Sequence, residues 1–171
     1  MPSRRQAGAS VDGPAEARRD YRVARGDPAE PAVAALLAAH LADQRAGTPA
    51  GFSFALDAAR LAAPDIALFA AWDGDALAAV GALKRLDGGA GEVKSMRAAT
   101  AYRGRGAGSA ILVPIVAAAR EAGLTGLYLE TGTTPAYDDA LALYRRAGFA
   151  PCAAFADYRP SPHNQFLALA L

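Results

Sequence analysis

A single cysteine, Cys152, is present in the 171 residues, so no intramolecular disulfide can form. Its neighbours Pro151 and Ala153 supply no base, which makes a packed thiol the expectation rather than a nucleophile. Only two histidines occur, His40 in an Ala/Leu-rich stretch and His163 in the Ser161-Pro162-His163-Asn164 segment. Neither has cysteines or carboxylates at ligand spacing, so no metal site is expected. An excess of one charge is missing as well. The 18 basic and 17 acidic residues leave a net +1, a balance that offers no field to nucleic acid or to an anionic membrane surface. No apolar run approaches the roughly 20 residues that span a bilayer, and no charged start leads into an apolar segment. The expected setting is the reducing cytoplasm, with neither nucleic acid nor membrane as partner.

What is present is enough apolar material for one compact domain: 53% of the residues are hydrophobic. Residues 1–20 mix Arg, Gly, Ser, Pro and Ala without a sustained period and read as a flexible N-terminal extension, leaving 21–171 as the domain. Tyr21 to Arg25 alternates like a short strand, and the Gly26-Asp27-Pro28 break precedes a helical stretch from Glu30 to Gln44. A second short helix is expected at Phe54 to Leu61. The turns at Asp73-Gly74-Asp75 and Asp87-Gly88-Gly89 then join three antiparallel strands, Ile66 to Trp72, Ala76 to Leu86, and the one carrying Glu92. Further strands are expected at Leu124 to Glu130, at Ala153 to Asp157 and at Phe166 to Leu171. Leu127-Tyr128-Leu129, apolar on both faces, suggests cover by helices on each side. The helix from Gly106 to Glu121 should bury Ile111, Leu112, Ile115 and Val116, and Pro114 predicts a kink within it.

The segment from Gly91 to Ala119 carries the chemistry. A strand-like run, Gly91 to Ala98, leads to Arg103-Gly104-Arg105-Gly106-Ala107-Gly108 and then to the apolar helix. Three glycines in five residues allow a tight turn whose amides converge on one point, where the first-turn N–H groups of a helix lack partners. With two arginines beside it, this is an anion cradle suited to a phosphate or pyrophosphate. A Walker loop would need Gly-Lys-Ser/Thr, and no lysine follows these glycines. The dinucleotide fingerprint fails at Ser109 in one register and at Ile111 in the other. What fits is Arg-x-x-Gly-x-Gly at Arg103, Gly106 and Gly108, between a strand and a helix.

With that loop, and with Leu143-Tyr144 followed by Gly148-Phe149 downstream, the chain resembles the GNAT superfamily of acyl-CoA-dependent N-acyltransferases. The resemblance implies an α/β (α+β) fold, a mixed, mostly antiparallel central sheet of six to seven strands with helices on both faces. It implies acetyl-CoA as co-substrate, its pyrophosphate held by Arg103, Gly104, Arg105, Gly106, Ala107, Gly108 and Ser109. Main-chain groups of Met96, Arg97 and Ala98 are implied to pair with the pantetheine arm like an added strand. One departure stands out. Where relatives often place Asn, seven residues before the helix tyrosine, this chain has Tyr137 as the residue facing the arm.

Acyl transfer to an amine requires loss of an amine proton and protonation of a departing thiolate. By the resemblance, Glu92, fourteen residues before Gly106, is the first choice for the base, with Glu130 in reserve, and Tyr144 is the acid. The implied acceptor is the primary amine of a small molecule or peptide. Arg45, Arg60, Tyr158, Arg159 and His163 fall on its side of the fold. A homodimer is one expected assembly. The competing reading is a non-catalytic CoA-binding domain that regulates a partner, although such a domain needs the loop without Glu92 and Tyr144.

Overall fold

The computed structural model describes residues 20–47 and 56–171. The expected N-terminal extension therefore lies outside the described residues, as does the first part of the Phe54–Leu61 segment. Seven strands form one sheet: β1 (Arg22–Arg25), β2 (Ile66–Asp73), β3 (Ala76–Arg85), β4 (Ala90–Ala98), β5 (Gly126–Gly132), β6 (Ala150–Pro151) and β7 (Asn164–Ala170). Their order is β1-β2-β3-β4-β5-β7-β6. Among the described residues every neighbouring pair is antiparallel except β4 with β5. This is the mostly antiparallel sheet that the sequence implied.

Helices cover both faces. On one, α1 (Pro31–Gly47) and the single turn α2 (Ala58–Leu61) place Val33, Leu37 and Leu61 against Ile66, Leu68 and Val80. On the other, α3 (Ala107–Glu121) and α4 (Asp138–Arg146) pack Ile111, Ile115, Leu141 and Tyr144 on Leu83, Val93, Leu127 and Leu129. Ile111, Leu112 and Ile115 are buried as expected, whereas Val116 is half-buried. The helix continues without a break through Pro114. Asp57 caps α2 by accepting a hydrogen bond from the Arg60 amide at 2.8 Å.

Two expectations change. The segment Ala153–Asp157 is not a strand. The sheet edge is instead the two-residue β6, and the chain then leaves the sheet through Ala156 at φ 47. Its Phe155 serves an aromatic cluster, 5.1 Å from Tyr128, 5.0 Å from Tyr158 and 5.9 Å from Phe166 between ring centroids. This cluster also corrects the reading of β5. Leu127 and Leu129 face the helices, while Tyr128 on the opposite face is covered by Phe155 rather than by a helix.

Candidate functional site

The site is an opening in the sheet. β4 and β5 pair at Ala90–Gly126, Gly91–Leu127 and Glu92–Tyr128, and there the ladder stops although both strands run on. From Val93 to Ala98 only β3 is paired to β4, so one backbone edge of β4 carries free donors and acceptors. A bulge accompanies the divergence. Two steps along β3, from Ala82 to Val80, oppose three along β4, from Lys94 to Arg97, and Ser95 takes the extra place at φ 53. Val93 and Met96 both pack toward α3, so the two residues between them, Lys94 and Ser95, fall on the α1 side. A cavity of about 100 Å³ lies in the opening, and His40, Glu92, Lys94, Glu130, Tyr144 and His163 contribute to its wall.

Glu92, the expected base, is 2% exposed and tied into a triangle. Lys94 Nζ donates to Glu92 Oε1 at 2.9 Å and to the Tyr158 hydroxyl at 2.5 Å, and that hydroxyl donates to the same Glu92 oxygen. Glu130, the reserve candidate, differs in setting. Burial pushes its carboxyl up to about 7, against the pull of Lys94 and with a push from Glu92. Across the cavity Tyr144 is buried and packs edge-on to Phe149 at 5.9 Å. Burial, and then the Glu130 charge, raise its phenol above the ordinary tyrosine value, so it stays protonated at neutral pH.

The glycine loop forms the other end of the site. Gly104 and Gly106 have φ of 71 and 83, which L side chains rarely adopt, and a Cβ on either would meet nothing within 4 Å. Gly106 caps the fifteen residues of α3, whose first ladder bond runs from the Ala110 amide to the Gly106 carbonyl. The amides of Ala107, Gly108 and Ser109 thus open the helix as free donors. Those of Arg103 and Arg105 bond the Thr100 and Tyr102 carbonyls, and the Tyr21 hydroxyl donates to the Arg105 carbonyl at 2.9 Å. Gly108 serves packing instead. A Cβ there would come within 3.0 Å of Leu143 Cδ2, so the missing side chain lets α3 approach α4. Open space beside an αL turn, a helix start, two exposed arginines and the unpaired edge of β4 fit a pyrophosphate with an extended arm.

The other expected contacts divide. Met96 packs over Gly81 toward Ile111, and Ala98 lies against the core, so both offer main chain to the opening. The Arg97 side chain instead turns to α1 and donates to Asp43. Tyr137 lies with its ring over Gly132, and its hydroxyl donates to Gln44 of α1 at 3.2 Å, bridging the two walls. Of the acceptor-side residues, Tyr158 and His163 reach the site, while Arg60 is bound to Asp65 at the surface and Arg45 and Arg159 are exposed. Lys94, His40 and Gln44 were not singled out as site residues from sequence. Lys94 carried a usable signal, since it lies two residues from Glu92 on a strand and so shares its face. Among the described residues no helix is long and apolar enough to cross a membrane.

The model of the Acetyltransferase (GNAT) family matches residues 33–149, which contain every site element above except the β6–β7 loop. The uncharacterized N-acetyltransferase YedL of Escherichia coli is 42% identical over 151 residues, covering 88% of this chain and 95% of the relative. A Klebsiella pneumoniae structure described as an acyl-CoA N-acyltransferase superposes with a TM-score of 0.72 at 28% identity, over 88% of this chain and 97% of the other. A Bacillus subtilis acetyltransferase solved with CoA has the same fold, with a TM-score of 0.63 at 18% identity over 89% and 99% of the two chains. The chain belongs to the GNAT family of acetyltransferases.

Proposed function

We propose that this protein transfers the acetyl group of acetyl-CoA to the primary amine of a small molecule or peptide, with Glu130 as the base and Tyr144 as the acid. The observation that carries this reading is the placement of a carboxyl raised to about 7 and a protonated phenol on the wall of one cavity, where the sheet opens. Bound acetyl-CoA would supply a thioester carbon, with its pyrophosphate at Gly104 to Ser109 and its arm along Met96 to Ala98. Glu130 takes a proton from the incoming ammonium, directly or through a water. The amine lone pair forms the new C–N bond, the C–S bond breaks and Tyr144 gives a proton to the sulfur, while the second proton released from nitrogen as the amide forms restores the phenol. A carboxyl that titrates near the working pH suits this role. Glu92 lies in the same cavity, but its Oε1 already receives both Lys94 and Tyr158, which favours a supporting role.

The reading is tested by free-thiol release from acetyl-CoA over a panel of amines, amino acids and peptides, with Glu130→Gln as the diagnostic variant. Turnover that rises through about pH 7 in the wild type and collapses in the variant is the expected result. CoA binding without thiol release on any acceptor would support the alternative, a regulatory CoA-binding domain.

A further inference from the structure

We propose that Lys94 is a positioning residue: locked between Glu92 and Tyr158, it ties the loop joining β6 to β7 to β4 and balances the negative charge that Glu92 and Glu130 bring to the cavity. This inference rests on the acetyltransferase reading for its consequence, but its core is the geometry of the triangle. The Lys94 side chain is 9% exposed and that of Glu92 2%, so this is a buried ion pair. Such a pair is costly to desolvate and holds only where further hydrogen bonds complete it. Tyr158 completes it. Its oxygen accepts from Lys94 and its proton goes to the Glu92 oxygen that Lys94 also reaches, so each corner of the triangle is bonded to the other two.

Each corner comes from a distinct constraint. Lys94 and Glu92 share a face because they are two residues apart on β4, and the bulge at Ser95 begins just beyond them. Tyr158 arrives from a loop 64 residues away, fixed by its ring against Phe155 at 5.0 Å and Phe166 at 5.8 Å. Within the loop, Asn164 accepts from the Ser161 amide at 2.8 Å and donates to the Arg159 carbonyl at 3.0 Å, so the whole segment is braced. The loop that flanks the acceptor side is thereby attached to an ammonium beside the base.

The groups that face Glu130 come from every neighbouring element: Glu92 and Lys94 from β4, Tyr144 from α4, Tyr158 and His163 from the β6–β7 loop, and His40 from α1. His40 brings no charge at neutral pH, because burial and then Arg97 lower it to about 4 against the opposing pull of Asp43. Lys94 offsets the charge of Glu92 and Glu130, and its pull on Glu130 outweighs the push from Glu92.

The test follows the Glu130 carboxyl by ¹³C NMR titration of protein labelled at the glutamate side chains, its signal identified by its loss in Glu130→Gln. Lys94→Met should raise the midpoint by about one pH unit, the effect of removing a close opposite charge, and Lys94→Arg should restore most of it. Tyr158→Phe should raise it by less, because the ammonium stays but loses its second anchor. Should Lys94→Met fail to fold because it leaves Glu92 buried without its counter-ion, the double variant Lys94→Met/Glu92→Gln removes both charges, and the midpoint should still rise. An unmoved midpoint in Lys94→Met, or in the double variant, overturns the proposal. Wild-type turnover in Glu130→Gln, with the midpoint moving as described, would instead remove the base assignment and leave the role of Lys94 in place.

Discussion

The two ends of the opened sheet are built from different materials. At the Arg103–Gly108 end the binding surface is backbone: two glycines at φ 71 and 83, a helix start and an unpaired strand edge, with arginines added at the rim. At the Glu92–Glu130 end it is side chains, contributed by β4, β5, α4 and the β6–β7 loop and joined by hydrogen bonds and charge. A backbone cradle depends little on the side chains around it. A side-chain cluster must be assembled anew from distant segments. Changes at the first end should therefore act on affinity, and changes at the second on rate and on pH dependence.

The largest effect expected is at the second end, and it separates the two buried carboxylates. Glu130→Gln should lower kcat/KM by roughly 10²–10⁴ with little loss of stability, since the replacement keeps shape and removes a charge that burial disfavours. Glu92→Gln should do the reverse. It leaves Lys94 buried without its counter-ion, which costs about 3–5 kcal/mol in comparable cases, so melting should fall steeply. Measuring kcat/KM and thermal melting on both variants decides the matter. A rate loss confined to Glu92→Gln would return the base to β4.

At the first end, Gly106→Val tests whether the cradle is backbone. The αL region costs a residue with a Cβ about 1–2 kcal/mol, and a β-branched side chain would also enter the open space beside the turn. CoA affinity by calorimetry should fall at least about tenfold, while kcat at saturation holds. Unaltered affinity in the folded variant would place the pyrophosphate elsewhere.

That contrast also explains what could be read in advance. The glycine loop was legible because a tight turn with positive φ favours glycine, and that preference stays in the local sequence. Tyr144 and Glu92 were legible by their spacing from it. The three antiparallel strands β2 to β4 followed from turns at Asp73-Gly74-Asp75 and Asp87-Gly88-Gly89, which are local as well, while the rest of the sheet came from the resemblance. What escaped was non-local. The Ser95 bulge answers to pairing with β3, and Tyr158 meets Lys94 across 64 residues. Ala153 to Asp157 was expected to be a strand, yet its aromatic residue is drawn to Tyr128 and Phe166, partners far from it in sequence.

Tyr144→Phe sharpens the comparison from the other side, since it removes one hydroxyl and keeps the ring against Phe149. If the phenol returns the proton to sulfur, kcat should drop by at least about tenfold, equivalent to about 1.4 kcal/mol in the barrier. CoA affinity and melting should stay near wild type. An equal kcat would make Tyr144 a packing residue of α4.

The last effect concerns stability, and it needs no substrate. The Glu130 carboxyl, ordinarily at 4.5, is raised to about 7 in the folded protein. Below about pH 4.5 folded and unfolded chains both hold its proton, and the favourable contribution is fully present. Between about 4.5 and 7 only the folded chain keeps the proton, so each step up in pH reduces stability; above about 7 the loss is complete and constant. Gln at 130 does not titrate, and the remaining groups are common to both proteins. The melting temperature of Glu130→Gln minus that of the wild type should therefore rise from about pH 4.5 to about pH 7 and then level off. A difference that is flat over this range would mean that Glu130 is solvated, and the side-chain end of the site would lose the buried base on which its contrast with the glycine loop depends.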